Sequence, residues 1–360
     1  MHKLAWLPWV TASAIALGLL VGGSTTATAK VKTYTQHGNA LAAYNVKHYK
    51  TVNNKNFFVK RYQFTGTGSS MTSTKGKQVT FKTNFLLPSH YDSKTWTNPQ
   101  SIVLNKTGST MYVLSTAHNN RGFIVKYNVA GLKKLGVTSG AKDALAQAGK
   151  DKEANQLTAK DKAILKNVKV GPVFATGHGQ SLARNPKTGQ LWFVGARAIH
   201  SNVQQVSTKT LKPIKRINFT LKSTVPMGEN LTFDKKGNAY FYTYSSGGWA
   251  PKGTVKIYKG KIKAKSVKFH LIMQGLRHNP GTKSQSLAYN AKRNRLYFMS
   301  DGSISSVPVN KLGHLKAKDV EATNLSGKRE LEGLQFTNKG VGYLLTNRPA
   351  QVMKTTKANF

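Results

Sequence analysis

Short apolar blocks separated by polar turns run through most of this chain, and one layout of them repeats. Residues 180–183 form a short, partly apolar stretch. Asn185-Pro186-Lys187-Thr188-Gly189 has turn chemistry, and residues 191–194 are an aromatic-rich strand. The layout returns over residues 100–114, 228–242, 284–299 and 332–345, each time with a Gln or Glu two residues before an aliphatic and a polar turn after it. The last four repeats begin 49, 56 and 47 residues apart, counting from Gln180 to Glu229, Gln285 and Glu332. A third strand follows at 203–206, 255–258, 304–309 and 351–353, and a fourth in most, as at 215–219 and 267–272. Four strands per period of about fifty residues is the pattern of a propeller blade.

This predicts an all-β fold, a five-bladed β-propeller over residues 56–360, in preference to an open solenoid or a two-sheet sandwich. The fifth repeat runs out of chain near Met353, one strand short, and the alternating segment 78–87 stands free at the other end. That segment is expected to supply the missing strand and remove the open edge of the ring. Residues 57–64 also alternate as a strand. Between the first two repeats the pattern changes to Ala, Lys, Gln and Asp, and Thr158-x-x-Asp161 ahead of Ala163-Ile164-Leu165 fits a capping box. A helical insertion is therefore expected over about residues 131–167, in the first blade. Asp143, Asp151, Glu153 and Asp161 put a third of the chain's carboxylates there, as expected of a solvated helical loop.

The first thirty residues follow neither period. Lys3 precedes a mainly apolar run from Leu4 to Val21, small residues follow, and Ala27-Thr28-Ala29 is an A-x-A cleavage site. Residues 1–29 read as a signal peptide, with a mature chain beginning at Lys30 and no membrane-spanning segment after it. Residues 30–55 are polar and are expected to wrap the surface. The chain has no cysteine, and a domain of this size can bury a sufficient core without disulfides.

Charge changes this picture most. Without Lys3 the chain carries 54 basic residues against 12 acidic, a net of +42, and only ten of the basic residues are Arg. Lysine acts as a compact point charge, whereas arginine makes bidentate, directional contacts. The surplus points to diffuse attraction toward a polyanion rather than to a shaped phosphate pocket. For an exported monomer that polyanion is an anionic wall polymer such as teichoic acid, or anionic lipid head groups, and nucleic acid is not an expected partner.

In a propeller the first strand of each blade lines the central channel, which places Gln100, Gln180, Glu229, Gln285 and Glu332 on one ring. Two carboxylates among three amides have the chemistry of a general acid and base, Glu229 and Glu332, or of a cation site. Hydrogen bonding that holds the blades in register is the simpler role, and a glycosidase propeller would call for a third carboxylate. On an extended strand His178 would point the same way as Gln180, and His118 follows the second strand of the first blade. No H-E-x-x-H or H-x-H spacing, cysteine nucleophile or G-x-S-x-G elbow occurs, so no metal, cofactor or catalytic residue is assigned. Trp249, in a Gly-rich blade loop, has the chemistry of a sugar-stacking platform.

Gly177-His178-x-Gln180-Ser181, then Gly189-Gln190-x-Trp192-Phe193-Val194-Gly195, with the later Gln-Ser-Leu and Glu-Gly-Leu-Gln strands, resembles the helveticin J type of secreted lactobacillar proteins. The resemblance spans the repeat region from about Gln100 onward, on motifs that are short and mostly structural. It implies a bacteriocin-like, wall-directed role against related bacteria, and it supplies no catalytic residues.

Overall fold

The computed structural model describes residues 69–90, 98–116, 119–246, 252–276, 284–300, 302–326, 329–347, 349–358 and 360. The expected signal peptide, the 30–55 segment, the 57–64 strand, His118 and Trp249 lie outside the described residues.

Strands β1 (Ser70–Gly76) and β2 (Thr80–Leu86) come first. Next come β3 (Asn98–Leu104), β4 (Thr110–Thr116) and β5 (Arg121–Asn128), then helices α1 (Val129–Lys134), α2 (Ala144–Glu153) and α3 (Ala159–Leu165). Strands β6 (Val168–Val170) and β7 (Phe174–Ala175) both return to β5, which closes a sheet ordered β3-β4-β5-β6 with β7 beside it. Strands β8 (Ala183–Arg184), β9 (Leu191–Val194), β10 (His200–Val206) and β11 (Pro213–Thr220) form a second sheet in chain order. A third holds β12 (Thr232–Phe233), β13 (Ala239–Tyr244), β14 (Val255–Ile262) and β15 (Val267–Leu276). The remaining strands are β16 (Ser284–Asn290), β17 (Arg295–Ser300), β18 (Ser303–Pro308), β19 (Glu321–Leu325), β20 (Glu330–Phe336), β21 (Gly342–Asn347) and β22 (Gln351–Thr355). With β1 and β2 they make one nine-stranded sheet ordered β16-β17-β18-β19-β1-β2-β22-β21-β20. The fold is mostly β and propeller-like, and every pairing is antiparallel.

The strands β3, β8, β12, β16 and β20 meet in that succession and back to β3, with β16 and β20 the two edges of the nine-stranded sheet. Glycine permits close approach at two places near these strands. A Cβ on Gly333 would stand 2.8 Å from Ile102 Cγ2, and one on Gly179 would stand 2.7 Å from Leu114 Cδ2. The middle strands are buried on both faces, as the apolar block Leu191-Trp192-Phe193-Val194 requires, and their side chains fill the spaces between sheets.

The segment 78–87 holds β2. It pairs with β22, the last strand of the chain, with Phe81 opposite Thr355 and Phe85 opposite Val352. The ladder skips Asn84, a β-bulge that reverses the facing of the strand. Phe81 consequently packs with Met353, Tyr297 and Phe360 in one core, while Phe85 packs with Val352, Leu345 and Tyr127 in another.

The sequence pattern misses β1. Only Met71 of its seven residues is buried, so no alternation marks it. It is held by its two neighbours, β19 on one side and β2 on the other, with a bulge between Ser73 and Lys75. This joins two sets of four strands into the nine-stranded sheet. The first strands of the repeats at Gln180 and Glu229 are also shorter than their apolar patterns suggest, pairing only at 183–184 and 232–233. In the helical stretch Thr158 caps α3 as its spacing indicates. Its hydroxyl accepts from Asp161 N at 3.1 Å, and the Asp161 carboxylate accepts from Thr158 N at 2.9 Å.

Candidate functional site

Three of the five ring residues come together. Gln180, Glu229 and Gln285 line one cavity of about 50 Å³ with Arg197, Asn230, Tyr244 and Ser284. The Gln180 side-chain amide nitrogen donates to the Gln285 side-chain oxygen across it. Glu229 is half-buried and faces Arg197 at 3.6 Å. Asn230 holds the floor: its side chain accepts from Tyr242 N at 2.8 Å and donates to Tyr242 O at 3.0 Å, which fixes the stretch before β12 against β13 although so little of it is paired as strand. The Tyr242 hydroxyl meets Ser284 Oγ. The neighbouring Tyr244 hydroxyl is buried and makes no hydrogen bond of good geometry among the described residues. Burial pushes it up to about 12, against the opposing pull of Ser284, Tyr242 and Arg197. It is a neutral phenol at any physiological pH.

The other two ring residues line no part of this cavity. Glu332 is 1% exposed, and Asn347 Nδ2 donates to its carboxylate at 3.4 Å. The same Nδ2 donates to Asn98 Oδ1 at the head of β3, so Asn347 ties the neighbouring first strands together. Gln100 is also buried. Its Nε2 reaches only the Pro99 carbonyl, at 3.4 Å, and its Oε1 has no partner among the described residues. A general acid–base pair made of Glu229 and Glu332 is therefore not assembled in this cavity.

His178 departs from its expected place. Residues 177–180 form a turn and not a strand, with Gly177 at φ +62° and Gly179 at φ +88°. Both angles are in the left-handed region that glycine tolerates. His178 is exposed at the tip of this turn, outside the cavity lining, and shares no strand face with Gln180. The sequence signal was present in the Gly-x-Gly spacing around His178, which marks a turn more strongly than the flanking polar residues mark a strand. Among the described residues no group of three or more His, Asp or Glu is placed to hold a metal ion, and no helix is long and apolar enough to cross a membrane.

Electrostatics distinguish the outer surface from the cavity. The described carboxylates are largely committed within the fold. Asp161 caps α3, Asp319 takes Lys311 Nζ at 2.5 Å and Lys316 N at 2.8 Å, and Glu321 receives both Arg293 nitrogens at 2.7 Å. Asp234 accepts from Lys236 N, Asn238 N and Asn238 Nδ2 in the β12–β13 turn, and from the Tyr240 hydroxyl at 3.0 Å. Most lysines of the described residues are exposed instead, among them Lys212, Lys215 and Lys222 around β11, and Lys261, Lys263, Lys265 and Lys268 on the β14–β15 hairpin.

No protein-family description and no curated protein matches the sequence. Among solved structures the chain is similar to one in a nidogen/laminin complex, at 9% identity with a TM-score of 0.37, covering 78% of this chain and 86% of that one. It is similar to TolB from Acinetobacter baumannii at 10% identity and a TM-score of 0.35, covering 80% and 64%. An auxiliary nutrient binding protein from Bacteroides thetaiotaomicron gives 10% identity and a TM-score of 0.36, covering 80% and 76%. At these scores the likenesses carry no functional argument.

Proposed function

We propose that this is a secreted protein of the bacterial surface, built as a closed five-bladed propeller with a helical insertion in its first blade, that attaches to anionic envelope polymers through its lysines. The observation that carries the reading is the charge and its disposition. The formal net charge is +43, and the few described carboxylates are spent mainly on caps, turns and arginine pairs, with Asp319 on Lys311, which leaves most of the exposed lysines unanswered. Such an imbalance exceeds what solubility asks of a surface. The five-blade reading draws on the circular succession of first strands, and on β2 completing the set begun by β20, β21 and β22. A bacteriocin-type action on related bacteria is the biological role that the helveticin J resemblance suggests for such attachment. A carbohydrate hydrolase is the weaker alternative, because Glu332 does not share the cavity of Glu229.

Wall attachment built from many exposed lysine–phosphate contacts is sensitive to salt, since the Debye length falls from about 10 Å at 0.1 M to about 3 Å at 1 M. Purified protein added to cell walls should be retained at low salt, released reversibly by 1 M NaCl, and lost from walls stripped of teichoic acid. Glu229→Gln should change none of this. Retention through the salt wash, with loss in the Glu229 variant, would sink the electrostatic reading. Live indicator cells separate attachment from killing, and release of reducing sugar would identify a hydrolase.

A further inference from the structure

The β14–β15 hairpin carries its lysines in an arrangement that its own folding does not need. Register pairs Lys259 with His270 and Lys261 with Lys268, and directly opposed residues share a face. Lys263 and Lys265 are exposed at the tip, where Lys263 N bonds the Ser266 carbonyl at 2.9 Å. Lys261 Nζ approaches the carbonyl of Lys236, itself an exposed lysine in the β12–β13 turn, at 3.4 Å. Along an antiparallel strand, alternate residues repeat at about 6.8 Å, and opposed Cβ atoms stand about 5 Å apart. The face thus carries Lys259 and Lys261 in one row, with Lys268 opposite Lys261 in the other and Lys263 and Lys265 beyond them at the tip.

Like charges directly opposed destabilise a sheet. The register is set by the other face, where Ile262 and Val267 are buried and Phe269 packs on Phe241 with ring centroids 4.9 Å apart. Any polar residue would serve the lysine positions as well. Nor is the charge answered nearby in sequence. No Asp or Glu occurs between Lys235 and Ser300, and the preceding Asp234 already accepts four hydrogen bonds. His270 does not help, being held below its ordinary value by burial and by Lys259.

We infer that this hairpin face is the docking surface for the wall polymer, a linear chain of alditol units joined by phosphodiesters. The inference rests on the polyanion reading above and narrows it to one place and one chemistry. A nucleic acid would be met by stacking aromatics or arginine forks. The array has neither: Tyr240, beneath Lys259 Nζ at 5.9 Å, is fully buried, and the array's cations are lysines. Insertion into a lipid surface would call for exposed apolar side chains, and the large exposed ones among the described residues, Leu135, Val173, Ile199 and Ile214, are elsewhere. A run of point charges along one strand and its tip, with Lys268 across from it, suits a flexible chain with a phosphate at every repeat and no bases.

The test titrates full-length mature protein with purified poly(glycerol phosphate) over a range of NaCl concentrations. One variant joins Lys259→Gln, Lys261→Gln, Lys263→Gln and Lys268→Gln. A control of equal charge change joins Lys133→Gln, Lys134→Gln, Lys160→Gln and Lys162→Gln on α1 and α3. The hairpin variant should bind at least tenfold more weakly and lose about 3 from its log–log salt slope, as four lost phosphate contacts predict. The control should change less than threefold. Equal losses in both variants would overturn the hairpin as the site while leaving the polyanion reading in place. Absence of binding by the unaltered protein at low salt would overturn the polyanion reading itself. Stronger hairpin-dependent binding to single-stranded DNA, or to vesicles of anionic lipid, would overturn the polymer assignment. Lys261→Gln alone, read in the same titration, replaces the fourfold variant if that variant does not fold.

Discussion

Truncating β2 on its two faces tests the idea that one strand completes two cores. Phe81 and Phe85 are both fully buried, yet the bulge at Asn84 sends them into different clusters. Phe81 meets Phe360 edge-on at 5.8 Å between ring centroids, and Phe85 lies 6.4 Å from Tyr127. Removing a buried phenyl costs about 3–5 kcal/mol, the transfer term plus the cavity left behind. Since the two rings share no cluster, the losses from Phe81→Ala and Phe85→Ala should add, to about 6–10 kcal/mol. That approaches the whole stability of an ordinary domain, roughly 5–15 kcal/mol. Each single variant should therefore melt on the order of 10 °C lower, and the double variant should be largely unfolded. Lys82→Ala, exposed between them, should change stability by less than about 0.5 kcal/mol. Urea unfolding of the unaltered protein and the four variants, followed by tryptophan fluorescence and circular dichroism, measures all of this. Losses below about 1 kcal/mol for either phenylalanine, or a double variant no worse than the worse single one, would refute the two-core account of β2.

Three further outcomes are expected. Lys261→Gln should raise stability at low ionic strength by a few tenths to about 1 kcal/mol, an effect that vanishes in high salt, because it relieves the opposition of Lys268. Asp234→Ala should cost about 1–3 kcal/mol by urea unfolding, since it leaves the buried Tyr240 hydroxyl without its acceptor and opens the β12–β13 turn. Burial pushes the Glu321 carboxyl up, but the Arg293 hydrogen bonds and the charges of Arg295, Arg293 and Lys77 outweigh it and hold the group below its ordinary value. A carboxylate depressed in the folded state adds stability that is present above the unfolded value of about 4.3 and is lost as pH falls through the folded one. Glu321→Gln should therefore lower stability at neutral pH and flatten its decline below about pH 4, as thermal melts between pH 2 and 7 would record.

Local pattern was enough to find most strands, the capping box at Thr158 and the partner of the last strand. Each depends on near neighbours in the chain, or on a strand that is apolar on a regular period. β2 was legible because Phe81, Thr83 and Phe85 alternate with polar residues. Its bulge was not, since a skipped residue at Asn84 leaves that alternation intact and shows only against Val352 and Met353. β1 was invisible for the complementary reason: its polar residues are held by pairing to β2 on one side and to β19, remote in sequence, on the other, and backbone pairing leaves no mark on side-chain type. The recurrent Gln and Glu were visible as a set, but only packing separates Gln180, Glu229 and Gln285 around a cavity from Gln100 and Glu332 buried outside its lining. Charge showed the same division. The excess of lysine is a property of composition, whereas the opposition of Lys261 to Lys268 exists only once the turn at 263–266 has set the register of two strands.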